Sequence, residues 1–180
     1  RNTVFVSKRN LALDGLSQII GEGRMMSDVV ADVGWADLSP AERATAQRLI
    51  SETLRFQGRD DHILKPFLKR PPPLRVTNLL RMATVELMAG GAAHGVVNDA
   101  VKIAGRSKKT APMKGLINAV LRKVAVAEQA QWHAAPNTDL PRWLRPRLTK
   151  AWGKSQDLAL ECAHAARPPI DVSVKSDVSG

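Results

Sequence analysis

Cysteine is nearly missing from this chain: Cys162 is the only one in 180 residues. A single thiol excludes an internal disulfide and points to a reducing cytoplasm. Long apolar runs are missing too. The uncharged stretch "LMAGGAAHGVVN" near the middle is broken by glycines and a histidine, and it falls well short of the roughly 18 apolar residues a membrane span needs. The opening "RNTVFVSKRN" puts basic residues where a signal peptide requires its apolar segment, so no secretion signal is expected.

Signatures of an active site are equally scarce. "WGKS" (Trp152–Ser155) ends like a phosphate-binding loop, but position 148, where that loop needs a glycine, is Leu. "GEGR" lacks the third glycine and the preceding strand of a dinucleotide fingerprint. His62, His94, His133 and His164 have no i, i+3 or i+4 partner among themselves and cannot complete a zinc site with one cysteine. Cys162 lies mid-helix in the alanine-rich "LALECAHAA" without a basic residue immediately beside it to lower its pKa, and is expected to fill a small core position. No metal or cofactor site is expected in this chain.

What is present is positive charge, and it is concentrated. The net charge is +10, with a pI near 10.4. Residues 1–53 carry six Lys/Arg against seven Asp/Glu, residues 54–123 fourteen against four, and residues 124–180 seven against six. The whole excess sits in the middle segment. Charge gathered in this way makes a field that steers a polyanion and gains from counterion release, although a solvated basic face has the same composition.

Helical spacing dominates the apolar pattern. Leu11, Leu13, Leu16, Ile19 and Ile20 predict a first helix ending near Gly21, and Val29, Val30 and Val33 a short second one capped by Ser27 or Asp28. "LSPAERATAQRLISETLRF" opens with Ser39 as N-cap, Pro40 in the first turn and Glu42 in capping-box position, and should run to Phe56. A fourth helix is expected from Asp60 or Asp61 to Leu68, ended by "KRPPPLR". Leu79, Leu80, Met82, Ala83 and Leu87 mark a fifth, stopped by Gly90-Gly91, and "VVNDAVKIAG" after "GGAAHG" a sixth. In "MKGLINAVLRKVA" (Met113–Ala125), Leu116, Ile117, Val120, Leu121 and Val124 share one arc, with Lys114, Asn118 and Arg122 aligned at i, i+4, i+8 on its flank. Residues 128–139 read as a linker. Two short helices in 140–166 and a strand-like alternation in "PPIDVSVKSD" follow.

Several of these segments together resemble one family. "VVNDAVKIAG" resembles the helix "AVNEAVELAK", "KGLINAVLRKV" the helix "GFVNAVLRR", and "NLLRMATVELM" the helix "LLRLGLYQLL" of the NusB-like domain. That domain is shared by a transcription antitermination factor and the Sun/Fmu (RsmB) type small-subunit ribosomal RNA cytosine-C5 methyltransferases. "LPRWLRPRLTKAWG" with "ARPPIDVSVKSD" is similar to the segment by which the methyltransferases leave the helical domain. Val85-Glu86 depart from the pattern, standing where an aromatic residue and Gln are usual.

The resemblance implies an all-α, NusB-like helical bundle over residues 1–127, then the linker. A helical extension over 140–180 would end in the first strand region of a Rossmann-like methyltransferase domain that is absent here. It implies ribosomal RNA as partner and S-adenosylmethionine as cofactor of the full-length parent only. The fragment itself would be inactive, because Cys162 matches neither catalytic cysteine of the family. The alternative is an antitermination-type adaptor that binds RNA together with a ribosomal or antitermination protein. The residues expected at RNA are Arg122, Lys123, Lys114 and Asn118, then Arg106, Lys108 and Lys109 of the "GRSKK" loop, then Arg55 and Arg59, and finally Lys8 and Arg9. Asn118 has a second possible role, a hydrogen bond to a neighbouring loop backbone.

Overall fold

The computed structural model describes residues 8–127, 129–135, 140, 143–166 and 172. Among these there are helices and turns but no strand, and the chain forms two compact units, residues 1–139 and 140–180. The strand-like alternation of "PPIDVSVKSD" lies outside the described residues apart from Val172.

The first unit begins with α1 (Lys8–Glu22), α2 (Met26–Val30) and α3 (Val33–Ala36). The expected single helix around Val29–Val33 is thus two, and Met25, not Ser27 or Asp28, occupies the N-cap of α2. The chain bends between them because Asp32, at the N-cap of α3, gives its carboxylate to Arg24 at 2.8 and 3.0 Å instead of to the helix. Val29 and Trp35 are drawn into the core on either side of the bend. Helix α1 crosses α4 closely: a Cβ at Gly15 would stand 2.8 Å from Ile50 Cδ1, so only glycine fits without displacing a buried side chain.

Helix α4 (Pro40–Arg55) has the expected start, with the Glu42 N–H donating to Ser39 Oγ at 3.3 Å and the Ser39 N–H donating to Glu42 Oε2 at 3.1 Å. Helix α5 (Gln57–Leu64) starts earlier than Asp60, directly from Phe56, and buries Asp60; a 3₁₀ turn (Lys65–Phe67) continues it. Pro73 then caps α6 (Leu74–Met88), which packs against α1, α4, α5, α7 and α8. That central position buries ten of its fifteen residues, polar Asn78 and Thr84 among them, and leaves Arg75 and Glu86 to pair with neighbouring helices. Its one buried cation, Arg81, donates to both oxygens of Asp61 at 2.7 Å.

Gly90, in the left-handed region at φ +86°, ends α6, with Gly91 N–H donating to Glu86 O and Gly90 N–H to Leu87 O, the paired bonds of a Schellman stop. Helix α7 (Ala93–Gly105) then takes in half of the stretch expected as loop, and after a 3₁₀ turn (Ala111–Met113) α8 (Lys114–Ala125) returns along it. The segment expected as a linker holds α9 (Gln129–Ala134). Trp132 is 7% exposed there and meets the Phe56 ring edge-on at 5.5 Å, which holds α9 against α5.

The second unit pairs α10 (Arg145–Trp152) with α11 (Lys154–Ala165) across Gly153, at φ +83°. Among its described residues the buried side chains are Asp157 and Glu161, both paired with Arg145, while Thr149 donates to Asp157 at 2.9 Å. Cys162, expected inside, is exposed, because the acidic face of α11 turns toward α10 and leaves the small-residue face outward.

Candidate nucleic-acid interface

The antiparallel α7–α8 hairpin brings two polar rows together. Ile117, Val120, Leu121 and Val124 are buried as their spacing predicts, but Leu116 is 39% exposed at the edge of the arc, too far round the helix to reach the core. Burial of that arc against α6 and α7 turns the opposite flank of α8 outward, over a groove of about 920 Å³. Lys114, Asn118 and Arg122 line it from α8; His94 and Asn98 line it from α7, one helical turn apart. Val97, Val101, Gly115 and Ala125 are among its apolar residues, and no carboxylate lines it among the described residues.

Lys114 lies across the end of α7. Its Cδ would be 3.3 Å from a Cβ at Gly105, so the missing side chain lets the lysine stem cover the helix terminus, where a cation is favoured. Arg106, Lys108 and Lys109 are exposed in the loop at this end of the groove, which Thr110 fixes by donating to Ala104 O. Lys114, Arg122, Arg106, Lys108 and Lys109 have no carboxylate partner within ion-pair distance among the described residues. A desolvated anion arriving here meets cations that need not first give up a protein partner. Asn118 is half-buried and makes no hydrogen bond to a loop backbone among the described residues.

The other expected residues stand elsewhere. Lys123 points round α8 away from Arg122, with its ammonium 5.8 Å from the centre of the Phe67 ring. Arg59 lies over Phe56 at 5.5 Å, and Arg55 closes the last turn of α4; neither lines the groove. Lys8 sits near Glu42, whose carboxyl it helps to hold down.

Arg9 is committed to the fold: its Nε and Nη2 donate to Glu86 at 2.9 and 2.7 Å, and its Nη1 donates to Asp99 at 2.6 Å. Hydrogen bonding to Glu86 raises its pKa, against partial desolvation and with help from the charges of Glu86 and Asp99, so the cation stays charged and tied to α6 and α7. His94 and Asn98 are the groove residues that sequence reasoning passed over. Their signal was the i, i+4 spacing beside Val97 and Val101.

Residues 6–126 match the NusB family. The chain is also similar to proteins named ribosomal RNA small subunit methyltransferase B. It is 28% identical over 179 residues to that of Xanthomonas campestris pv. campestris, covering 89% of this chain and 37% of the relative. It is 35% identical over 140 residues to that of Thermus thermophilus, covering 76% and 33%. For Serratia proteamaculans the figures are 26% over 174 residues, covering 90% and 39%. The chain therefore spans between 33% and 39% of the length of these relatives.

Proposed function

The chain belongs to the NusB family, and from that premise we propose that it is the RNA-binding domain of a ribosomal RNA small-subunit methyltransferase, holding RNA in the α7–α8 groove for a catalytic domain outside the 180 residues. The observation that carries this assignment is the groove itself: among the described residues, cations without carboxylate partners stand along one wall and at one end, and no acidic residue lines it. The methyltransferase assignment is favoured over an antitermination adaptor because the similarity to the relatives covers 89–90% of the chain, past residue 126 where the family match stops.

The reaction of the whole enzyme would be transfer of a methyl group to cytosine C5 in the cytoplasm, with S-adenosylmethionine supplying the methyl group. We place that cofactor outside this chain: among the described residues the groove lining offers no carboxylate for ribose hydroxyls, and Lys114 and Arg122 would face the donor's positive charges. The contribution of this chain is binding and positioning. No helix among the described residues is long and apolar enough to cross a membrane.

The test is salt-dependent binding to a small-subunit ribosomal RNA fragment. Affinity should fall as salt rises, by roughly 0.7–0.9 log units per log unit of salt for each phosphate contact. Arg122→Ala and the Lys108→Ala/Lys109→Ala pair should each weaken binding and flatten the slope, without a shift in melting temperature. Lys150→Ala, which removes an exposed cation from the second unit, is the control. Equal losses for all three variants would reduce the effect to net charge and overturn the site.

A further inference from the structure

The groove and its adjoining loop hold five of the fourteen basic residues of segment 54–123, namely Arg106, Lys108, Lys109, Lys114 and Arg122. Arg75 and Arg81 are tied to Asp14 and Asp61. Four of the others stand on a second flank of α8. There Lys123 reaches Phe67, and the stretch "KPFLKRPPP" (residues 65–73) presents Lys65, Lys69 and Arg70 to solvent.

This stretch is held firmly in place. Four of its nine residues are proline, whose ring fixes φ, and the Leu68 N–H donates to Lys65 O at 3.3 Å to close the 3₁₀ turn. Phe67 and Leu68 anchor it on the core, and the Thr77 hydroxyl of α6 donates to Pro72 O at 3.1 Å. The Phe67 ring in turn attracts the Lys123 ammonium, 5.8 Å from its centre. The stretch contains no carboxylate; just before it, Asp60 is buried and Asp61 accepts from Arg81. Lys65, Lys69 and Arg70 have no ion-pair partner among the described residues. Charges that only meet water gain nothing from a rigid loop. Charges that bind an anion do, because less freedom is lost on binding.

We infer that Lys65, Lys69, Arg70 and Lys123 form a second phosphate-binding face, so that ribosomal RNA held in the groove at Arg122 continues over the last turn of α8 to the 65–73 loop. Arg122 and Lys123 are consecutive residues of that turn, which is where the two faces adjoin. The inference rests on the RNA-binding assignment above and goes beyond it in naming a contact surface outside the groove.

The experiment is lysine acetylation footprinting of the 180-residue chain, read by mass spectrometry with and without the small-subunit ribosomal RNA fragment. With RNA at about ten times its Kd, Lys65, Lys69 and Lys123 should acetylate about tenfold more slowly, together with Lys114, because a covered amine reacts only in the unbound chain. Lys150 and Lys154 of the second unit should react at unchanged rates. Lys69→Ala/Arg70→Ala should weaken binding and flatten the log–log salt slope by roughly 1.4–1.8, the value of two phosphate contacts, without a shift in melting temperature. Lys150→Ala/Lys154→Ala removes the same charge from the second unit and should leave the slope unchanged. Protection of Lys114 with Lys65 and Lys69 unprotected, or equal losses in the two double variants, overturns this inference and leaves the RNA-binding assignment standing. Absence of any protection together with absence of salt-dependent binding overturns both.

Discussion

Arg9→Ala should destabilise the first unit by about 2 kcal/mol while leaving RNA affinity per folded molecule unchanged. The magnitude follows from the partners: the Arg9, Glu86 and Asp99 side chains are 24%, 18% and 40% exposed, so the cluster lies between two regimes. Fully exposed ion pairs contribute roughly 0–1 kcal/mol. Removing one member of a buried pair costs about 3–5 kcal/mol, because the remaining charge is left desolvated. The bidentate contact to Glu86 adds geometry that a single exposed pair lacks, and truncation leaves Glu86 and Asp99 facing each other without their shared cation. Helix propensity offsets only a few tenths of a kcal/mol, alanine being slightly better than arginine within α1. For a unit of this size, a melting-temperature drop of roughly 5–10 °C is expected. Circular dichroism melts of Arg9→Ala, Glu86→Ala and the double variant supply the assay, with the double-variant cycle isolating a coupling energy of about 1–2 kcal/mol. An unchanged melting temperature, accompanied by a loss of RNA affinity like that of Arg122→Ala, would refute the structural role of Arg9 and return it to the RNA surface.

Trp132→Ala should cost about 3 kcal/mol in urea unfolding, since it removes a nearly buried indole and its edge contact with Phe56, and should open α9 to protease; a change below about 0.5 kcal/mol, typical of surface positions, would mean α9 is not part of the packed unit. Acid should erode stability through two carboxylates held below their usual pKa values, Glu42 by the hydrogen bonds of Ser39 and Asp32 chiefly by its hydrogen bond from Arg24. Because both pKa values are depressed in the folded state, their contribution is complete above about pH 5 and is lost as pH falls through the lowered values. Urea unfolding as a function of pH should show a fall below about pH 4 that is smaller in Glu42→Gln, and an identical fall in that variant would exclude the capping box as a source.

Sequence alone determined what depends on neighbours a few residues apart. The capping box of Ser39 and Glu42, the stop at Gly90-Gly91, the proline-opened α6 and the buried arc of Ile117, Val120, Leu121 and Val124 all follow from local geometry and helical period. The concentration of positive charge in residues 54–123 is likewise a property of the string of residues, as is the family resemblance that pointed to an all-α bundle. Tertiary structure decided which of those charges remain available. Arg9 finds Glu86 and Asp99 across 77 and 90 residues, and no local pattern distinguishes it from Lys108, which finds no carboxylate among the described residues. Lys123 and Arg122 are adjacent in sequence, yet the 100° step of the helix sends one to Phe67 and the other to the groove. Burial of Trp132, exposure of Cys162 and the meeting of Asn98 with Asn118 also depend on which helix face lies opposite. That is set by packing of the whole bundle around α6, and a one-dimensional period carries no record of it.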